Sequence, residues 1–355
     1  MNRQSPTRAA TGFDDSEFAA KIAARHLRTV SRCISWIENG QPAVRPLLDT
    51  LSRQAGTAMV VGVTGVPGAG KSTLVPALAR MFAACGRQVA ILAVDPSSPL
   101  SGGAILGDRI RDTTLGETGI FFRSVASRGS VGGLSRTLDD VVLLLDGAGF
   151  DVILIETVGT GQSEIAVTKL AHTTLMVTAP GLGDEIQAMK AGILEVADII
   201  VVNKADSDPR NAETTAMTLR QALSETLRAH GLREGANPAD DDRGSTWLAP
   251  VRAVSALKGD GIRGLAELVD AHRGFLAASE ELAEWRGRRL VERFHEATRE
   301  ALYRYMLDRC GPDFEAAAAA VRSGSLTPLG AAENVARRAI VTETTVTASG
   351  RKNDE

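Results

Sequence analysis

The spacing of apolar positions changes character along this chain. From about Asp15 to Gln54 the residues Ala20, Ile22, Leu27, Val30, Ile34 and Ile37 recur near helical spacing, and Asn39-Gly40 supplies a stop. This predicts a helical N-terminal extension over residues 1–54. From Ala58 the pattern becomes short apolar runs separated by helix-length segments: Met59–Val63, Val89–Val94, Val152–Ile155, Leu175–Thr178, Ile199–Val202 and Val251–Val254. Runs of this length without alternation fit strands covered on both faces of a mainly parallel sheet. The strand–helix alternation predicts a doubly wound α/β domain over residues 55–275.

A different pattern follows. Glu280–Arg309 contains no proline, and Leu282, Trp285, Leu290, Phe294, Ala297, Leu302 and Met306 recur every three to five residues. The stripe predicts an amphipathic helix in a helical arm spanning residues 276–325. Packing within the chain and pairing with a second copy both satisfy it. Residues 326–355 show no clear pattern and read as a tail that frays at its end.

Composition narrows the function classes. Of 355 residues, 44% are hydrophobic and 23% charged, enough for a substantial core. A net charge of −3 argues against a nucleic-acid partner, and 4% aromatic content against a base-stacking platform. Cys33, Cys85 and Cys310 are too scattered for a disulfide framework or a metal knuckle. The N-terminus lacks an apolar leader core, and the apolar runs fall far short of the roughly 20 residues a bilayer span needs. The expected setting is cytoplasmic, with no membrane partner.

The chemistry concentrates in two motifs. Gly65-Val66-Pro67-Gly68-Ala69-Gly70-Lys71-Ser72 matches G-x-x-x-x-G-K-[ST], between the first strand run and a helical pattern, and with Thr73 makes up the set expected to bind the nucleotide phosphates. Glycines let backbone N–H groups turn inward around phosphate oxygens, and the following helix adds its positive end. Lys71 is expected to reach the β- and γ-phosphates, and the Ser72 hydroxyl to ligate Mg²⁺. The second motif, Asn203-Lys204-Ala205-Asp206, ends a late strand run. A carboxylate at Asp206 can accept from both the ring N–H and the exocyclic amine of guanine, which adenine does not offer in that arrangement. Asn203 is expected to hold the loops together, and the Lys204 stem to lie along the base. Ser255-Ala256-Leu257, after the last strand run, has the pattern that closes over guanine. The ligands expected are therefore GTP or GDP with Mg²⁺.

Metal and switch candidates lie between these motifs. Glu156-Thr157-Val158-Gly159 stands where many G proteins have D-x-x-G, with Glu156 toward the metal and Gly159 toward the γ-phosphate. Gln162 comes three residues after that glycine, so it serves the attacking water, the capping of a helix start or a surface role. Asp95 and Asp108, on loops near the phosphates, are candidates for Mg²⁺ or the attacking water. Arg109 and Arg128 are candidates for neutralising transition-state charge.

Together, DPSSPLSGGAILGDRIR at 95–111, ETVGTGQSE at 156–164, APGLGDEIQAMKAGILE at 179–195 and NKAD at 203–206 resemble the MeaB/ArgK/MMAA family of G proteins. The resemblance runs in order across roughly residues 15–310. It implies a SIMIBI-class P-loop G domain, homodimers formed through the C-terminal arm, and GTP hydrolysis. It also implies a chaperone role toward an adenosylcobalamin-dependent acyl-CoA mutase, gating cofactor loading and the removal of inactivated cofactor. Asp95 and Asp108 match the family's acidic metal and switch positions. Gly181 to Lys190 matches an additional switch, with Asp184, Glu185 and Lys190 its charged members. Asp112 stands where the family pattern has methionine, and the residues beyond about Ser325 match no family pattern. The client is then methylmalonyl-CoA mutase or a sibling such as 2-hydroxyisobutyryl-CoA mutase. Two rivals differ in class. A nickel-inserting GTPase needs clustered Cys and His ligands, whereas the five histidines here are isolated. A transport-linked ATPase or kinase needs adenine recognition, which N-K-x-D disfavours.

Overall fold

The computed structural model describes residues 15–96, 119–127, 131–157, 162–181, 196–229, 247–279 and 281–350. Two compact units are present, one ending at Leu282 and the other beginning at Ala283.

In the first unit seven strands form one sheet: β1 Met59–Gly65, β2 Val89–Pro96, β3 Phe121–Ser127, β4 Val152–Thr157, β5 Thr173–Thr178, β6 Ile199–Val202 and β7 Val251–Ala253. Their spatial order is β3-β2-β4-β1-β5-β6-β7, and every pairing is parallel. The doubly wound α/β expectation holds, with an all-parallel sheet. The order reverses beside β1, so the carboxyl ends of β1, β4 and β5 lie side by side, at the edge of the sheet where open α/β sheets bind ligands.

Helices cover both faces, which is why the central strands are buried throughout. On one face α4 (Lys71–Ala84), α7 (Pro209–Ala229) and α8 (Ile262–Ala278) pack Leu74, Leu78, Ala216, Leu265 and Val269 onto Val61, Leu154, Leu175 and Val201. On the other, α5 (Val131–Gly147) and α6 (Gln162–Leu170) share a core with the N-terminal segment.

That segment is not one continuous helix. It forms α1 (Asp15–Ala23), α2 (Leu27–Glu38), a 3₁₀ turn at Pro42–Val44 and α3 (Arg45–Leu51). Arg25 (φ +54) breaks the first helix from the second, and Gly40 (φ +63) ends α2 where Asn39-Gly40 is expected to stop it. His26 caps α2 by accepting the Thr29 N–H at 3.3 Å. Ile22, Ile34, Leu47 and Leu51 are fully buried in the core they share with the sheet. Arg123 of the edge strand β3 reaches Glu38 at 2.7 Å and Ser35 at 3.0 Å, clipping α2 to the sheet.

The second unit contains α9 (Glu281–Arg322) from Ala283 onward and α10 (Pro328–Gly350). The helical arm thus runs past Arg309. It kinks at Cys310 (φ −122, ψ 28), immediately before Gly311-Pro312, as a proline in a helix interior requires. Residues 328–350, which read as a patternless tail, are helical instead. The Thr327 hydroxyl accepts the Gly330 N–H at 3.2 Å, Pro328 opens the helix, and Arg338 pairs with Asp313 at 2.5 Å. Along α9, Leu290, Phe294 and Leu302 are more than half exposed. Among the described residues no helix is long and apolar enough to cross a membrane.

Candidate functional site

The phosphate loop is built by close backbone contact. Gly65, at φ +130, ends β1 so near β5 that a Cβ there would meet the Val177 carbonyl oxygen at 2.0 Å. The next residue, Val66, donates its N–H to that carbonyl at 3.1 Å and buries its side chain. Pro67 and Gly68 are exposed at the turn, Gly68 at φ +78, and Ala69 is fully buried. Gly70 (φ +86) is the N-cap of α4, accepting from Thr73 at 3.1 Å and Leu74 at 3.0 Å. The Lys71 and Ser72 amides, ahead of these two, have no acceptor within the helix, which leaves them directed at whatever anion the loop encloses.

Lys71 and Ser72 sit on the first turn of α4. Lys71 is 8% exposed, with Nζ donating to the carbonyls of Gly65 at 2.6 Å and Val66 at 3.2 Å. Burial pulls its pKa down, against the upward pull of the Glu164 and Glu156 carboxylates. The ammonium therefore lies folded across the mouth of the loop on neutral oxygens, ready to exchange them for an anion. The Ser72 hydroxyl donates to Glu156 Oε1 at 2.7 Å, and Glu156, near the end of β4, is 2% exposed. These two oxygen ligands from separate elements form a donor set suited to a hard divalent cation. Thr73 follows, exposed on α4.

The base-reading motif is hydrogen-bonded to the phosphate loop. Asn203, 2% exposed at the end of β6, donates Nδ2 to the Ala69 carbonyl at 2.9 Å and the Gly70 carbonyl at 3.3 Å. Its Oδ1 accepts the Ala256 N–H at 3.0 Å, so one amide joins three loops. A Cβ on Gly70 would stand 2.6 Å from Asn203 Nδ2, which is why the loop needs glycine there. Lys204 has a left-handed backbone (φ +60), held by Ser207, whose N–H and hydroxyl reach the Lys204 carbonyl at 3.1 and 2.7 Å. Its Cε passes 3.5 Å from the same Gly70 position, so the stem lies over the phosphate loop. The Asp206 carboxylate accepts from the Ser255 hydroxyl, which holds its pKa below the usual range. Ser255 and Ala256 are buried, while Leu257 is 81% exposed.

Lys71, Ser72, Glu156, Asn203, Lys204, Asp206, Ser255 and Ala256 are thus brought to one end of the sheet. Asp108, Gly159, Arg109, Arg128, Asp112, Asp184, Glu185 and Lys190 lie outside the described residues. So do the side chains of Asp95, whose backbone is in β2, and Gln162, the first residue of α6. Two neighbours carry no role in the motif reading. Glu164 acts electrostatically on Lys71 from α6, and Lys258 places Nζ 3.9 Å from Asp206 Oδ2.

Comparison with known proteins agrees with this geometry. A family described as methylmalonyl Co-A mutase-associated GTPase MeaB matches residues 30–309. A probable GTPase of Mycobacterium bovis is 37% identical, over 94% of this chain and 98% of the relative. The Mus musculus methylmalonic aciduria type A homolog is 37% identical, over 63% of this chain and 51% of the relative. The crystal structure of an LAO/AO transport system kinase superposes with a TM-score of 0.63 at 27% identity, covering 94% of this chain and 99% of that one. With its P-loop and N-K-x-D motif joined through Asn203, the chain belongs to the MeaB family of GTPases.

Proposed function

We propose that this chain is a GTP- and Mg²⁺-dependent switch that gates adenosylcobalamin loading into, and repair of, a B12-dependent acyl-CoA mutase. The observation that carries the reading is the Asn203 side chain, which ties Ala69 of the phosphate loop to Ala256 of the base-closing turn. Through it, the two ends of a guanine nucleotide are held by one hydrogen-bonded unit. The description of the matching family, with its mutase, supplies the partner class.

In this reading Asp206 takes the guanine N1–H and exocyclic amine, and the Lys204 stem lies along the base. Residues Gly65 to Thr73 enclose the phosphates, and Lys71 leaves the Gly65 and Val66 carbonyls for the β- and γ-phosphate oxygens. Bound Mg²⁺ supplies charge neutralisation at those oxygens. Ser72 and Glu156 would hold it, with Asp95 and Asp108 the further acidic candidates. Glu156 would then exchange its hydrogen bond from Ser72 for a role at the metal. Because Glu156 directly precedes the 157–161 segment, loss of the γ-phosphate would reach that segment first, with Gly159 its sensor and Gln162 at its far end. Segments 95–111 and 181–190 would carry the same state to the mutase. The exposed apolar side chains of α9 support a homodimer through this arm.

GTP hydrolysis by the purified chain, alone and with a set of adenosylcobalamin-dependent acyl-CoA mutases, tests the proposal with Lys71→Ala as control. A rise specific to one mutase, abolished by Lys71→Ala, supports the reading and identifies the client. Turnover indifferent to every mutase sinks the chaperone role and leaves the GTPase.

A further inference from the structure

Helix α6 is seated on β1 in a way that fixes where its first turn points. His172, just past the helix, donates its N–H to the Val60 carbonyl at 2.9 Å and accepts the Val60 N–H on Nδ1 at 3.1 Å. Two residues along the strand, a Cβ on Gly62 would meet Val167 Cγ1 and Ala171 Cβ at 2.9 Å each, so helix and strand touch there. The helix therefore runs back along β1 with its N-terminal turn toward Gly65. Ala166, Val167 and Leu170 are buried on its inner side, and Ile165 is 57% exposed on its outer side.

Glu164, half-buried in that first turn, stands one turn before Val167. From Gly62 to Gly65 the strand advances about 10 Å, and from Val167 back to Glu164 the helix covers about 4.5 Å. Side chains on a helix lean toward its N-terminus, so an outstretched glutamate spans the remainder. That brings the carboxylate toward the Gly65 carbonyl, where the Lys71 ammonium rests at 2.6 Å. The charge interactions agree, because Glu164 acts on Lys71 more strongly than Glu156 does. The two carboxylates differ in their response to a bound nucleotide. Glu156, hydrogen-bonded to Ser72, belongs to the candidate metal set, where Mg²⁺ would offset its charge. Glu164 stands outside that set and keeps its full pull on the ammonium.

We infer that Glu164 is a positioning residue that holds the Lys71 ammonium back from the phosphates, weakening nucleotide binding and speeding the release of GDP. An arriving phosphate has to draw the ammonium off the Gly65 and Val66 carbonyls against the pull of Glu164. The ammonium returns to them as GDP leaves. The carboxylate acts through Lys71 and touches no nucleotide. A first-turn carboxylate also favours its own helix, but removing that support alone would loosen the site, not tighten it. The inference rests on the nucleotide-binding reading of this loop and adds what sets its affinity.

The test titrates the full-length chain with GDP and Mg²⁺, so that hydrolysis does not enter, and follows GDP release by stopped flow. The proteins compared are the wild type, Glu164→Gln, Glu164→Asp, Lys71→Met and the double variant Lys71→Met/Glu164→Gln. Glu164→Gln should lower the Kd for GDP about ten-fold, most of it in slower release. Glu164→Asp keeps the charge on a shorter arm and should tighten GDP less. In the Lys71→Met background, Glu164→Gln should lose most of its gain, the coupling expected of a residue that acts through another. Without nucleotide, the melting temperature of Glu164→Gln should hold or fall slightly, while the rise on adding GDP should grow. A merely structural role cannot move those two readings in opposite directions. GDP binding that weakens or stays unchanged in Glu164→Gln would overturn the inference while the site still bound nucleotide. Undiminished tightening in the Lys71→Met background would overturn it too, by showing that the carboxylate repels the phosphates directly. A wild type that binds no GDP would be a separate result, removing the nucleotide reading and the Glu164 role with it.

Discussion

Asn203 lies against Ala69, its Nδ2 2.9 Å from the Ala69 carbonyl oxygen, and both residues are almost wholly buried. The contact joins the end of β6 to the loop after β1, two segments far apart in sequence. Replacing Asn203 with Ala leaves the Ala69 carbonyl and the Ala256 N–H unpartnered by it. The expected cost is about 1–3 kcal/mol of stability, together with weaker binding of GTP and GDP alike. Thermal melts with and without nucleotide check both parts, and an unchanged melting temperature would show that the contact is not structural.

Gly65 tolerates no side chain. A Cβ there would penetrate the Val177 carbonyl, 2.0 Å away, in a backbone region that L-residues rarely adopt. Gly65→Ala should destabilise the first unit by roughly 2–4 kcal/mol, readable as a lowered denaturation midpoint. Gly68, also at positive φ but with open space around it, should lose less on the same substitution.

Lys71 separates folding from chemistry. Its ammonium is buried on two backbone carbonyls, and burial already disfavours its charge. Lys71→Met keeps the apolar stem and removes that charge, so the melting temperature should hold or rise. GTP turnover should fall by at least about 100-fold, the scale of removing a preorganised charge from phosphoryl transfer. Loss of both together would mean that the lysine is needed to form the loop.

At the opposite end of β6, buried His272 and partly exposed Asp198 make a pair with opposing pH dependence. His272 Nδ1 is 2.9 Å from the Thr173 hydroxyl and Nε2 is 3.4 Å from Asp198 Oδ1. Burial raises the Asp198 pKa to about 6 and lowers that of His272 to about 4. A carboxyl whose folded pKa is raised loses stability as pH climbs from about 4 to 6. A histidine whose folded pKa is lowered gains stability over about 4 to 6.5. In the wild type the two largely cancel. Asp198→Asn should expose the histidine limb, with stability rising through this window. His272→Gln should expose the falling limb, each approaching a slope of about 1.4 kcal/mol per pH unit. Chemical denaturation across the window reads the sign directly.

Legibility in the sequence followed how local each signal is. The phosphate loop and N-K-x-D are contiguous, and six strand runs announced themselves as unbroken or nearly unbroken apolar stretches, because β1, β4, β5 and β6 are buried on both faces. The edge strand β3 did not, because Arg123 and Ser124 interrupt its apolar run, and Arg123 is accommodated by Glu38 and Ser35 of a distant helix. Helix α10 was hidden by Val341, Thr342, Thr344, Thr345 and Val346, β-branched residues that favour strands. Its start was nevertheless written in Thr327-Pro328, a cap followed by the proline that suits a first turn. The ion pair of Lys258 with Asp206 was illegible for another reason: only the pairing of β6 with β7 brings the two near.

The backbone of Lys204 sets folding against binding. A side chain at φ +60 carries a cost that glycine would not, on the order of 1 kcal/mol. Ser207 and the neighbouring strands keep the residue there, and what the chain retains is an aliphatic stem over Gly70 that glycine cannot supply. Lys204→Gly should therefore melt at a higher temperature and hold nucleotide less well. A survey for thermostability alone would select the variant that undoes the site.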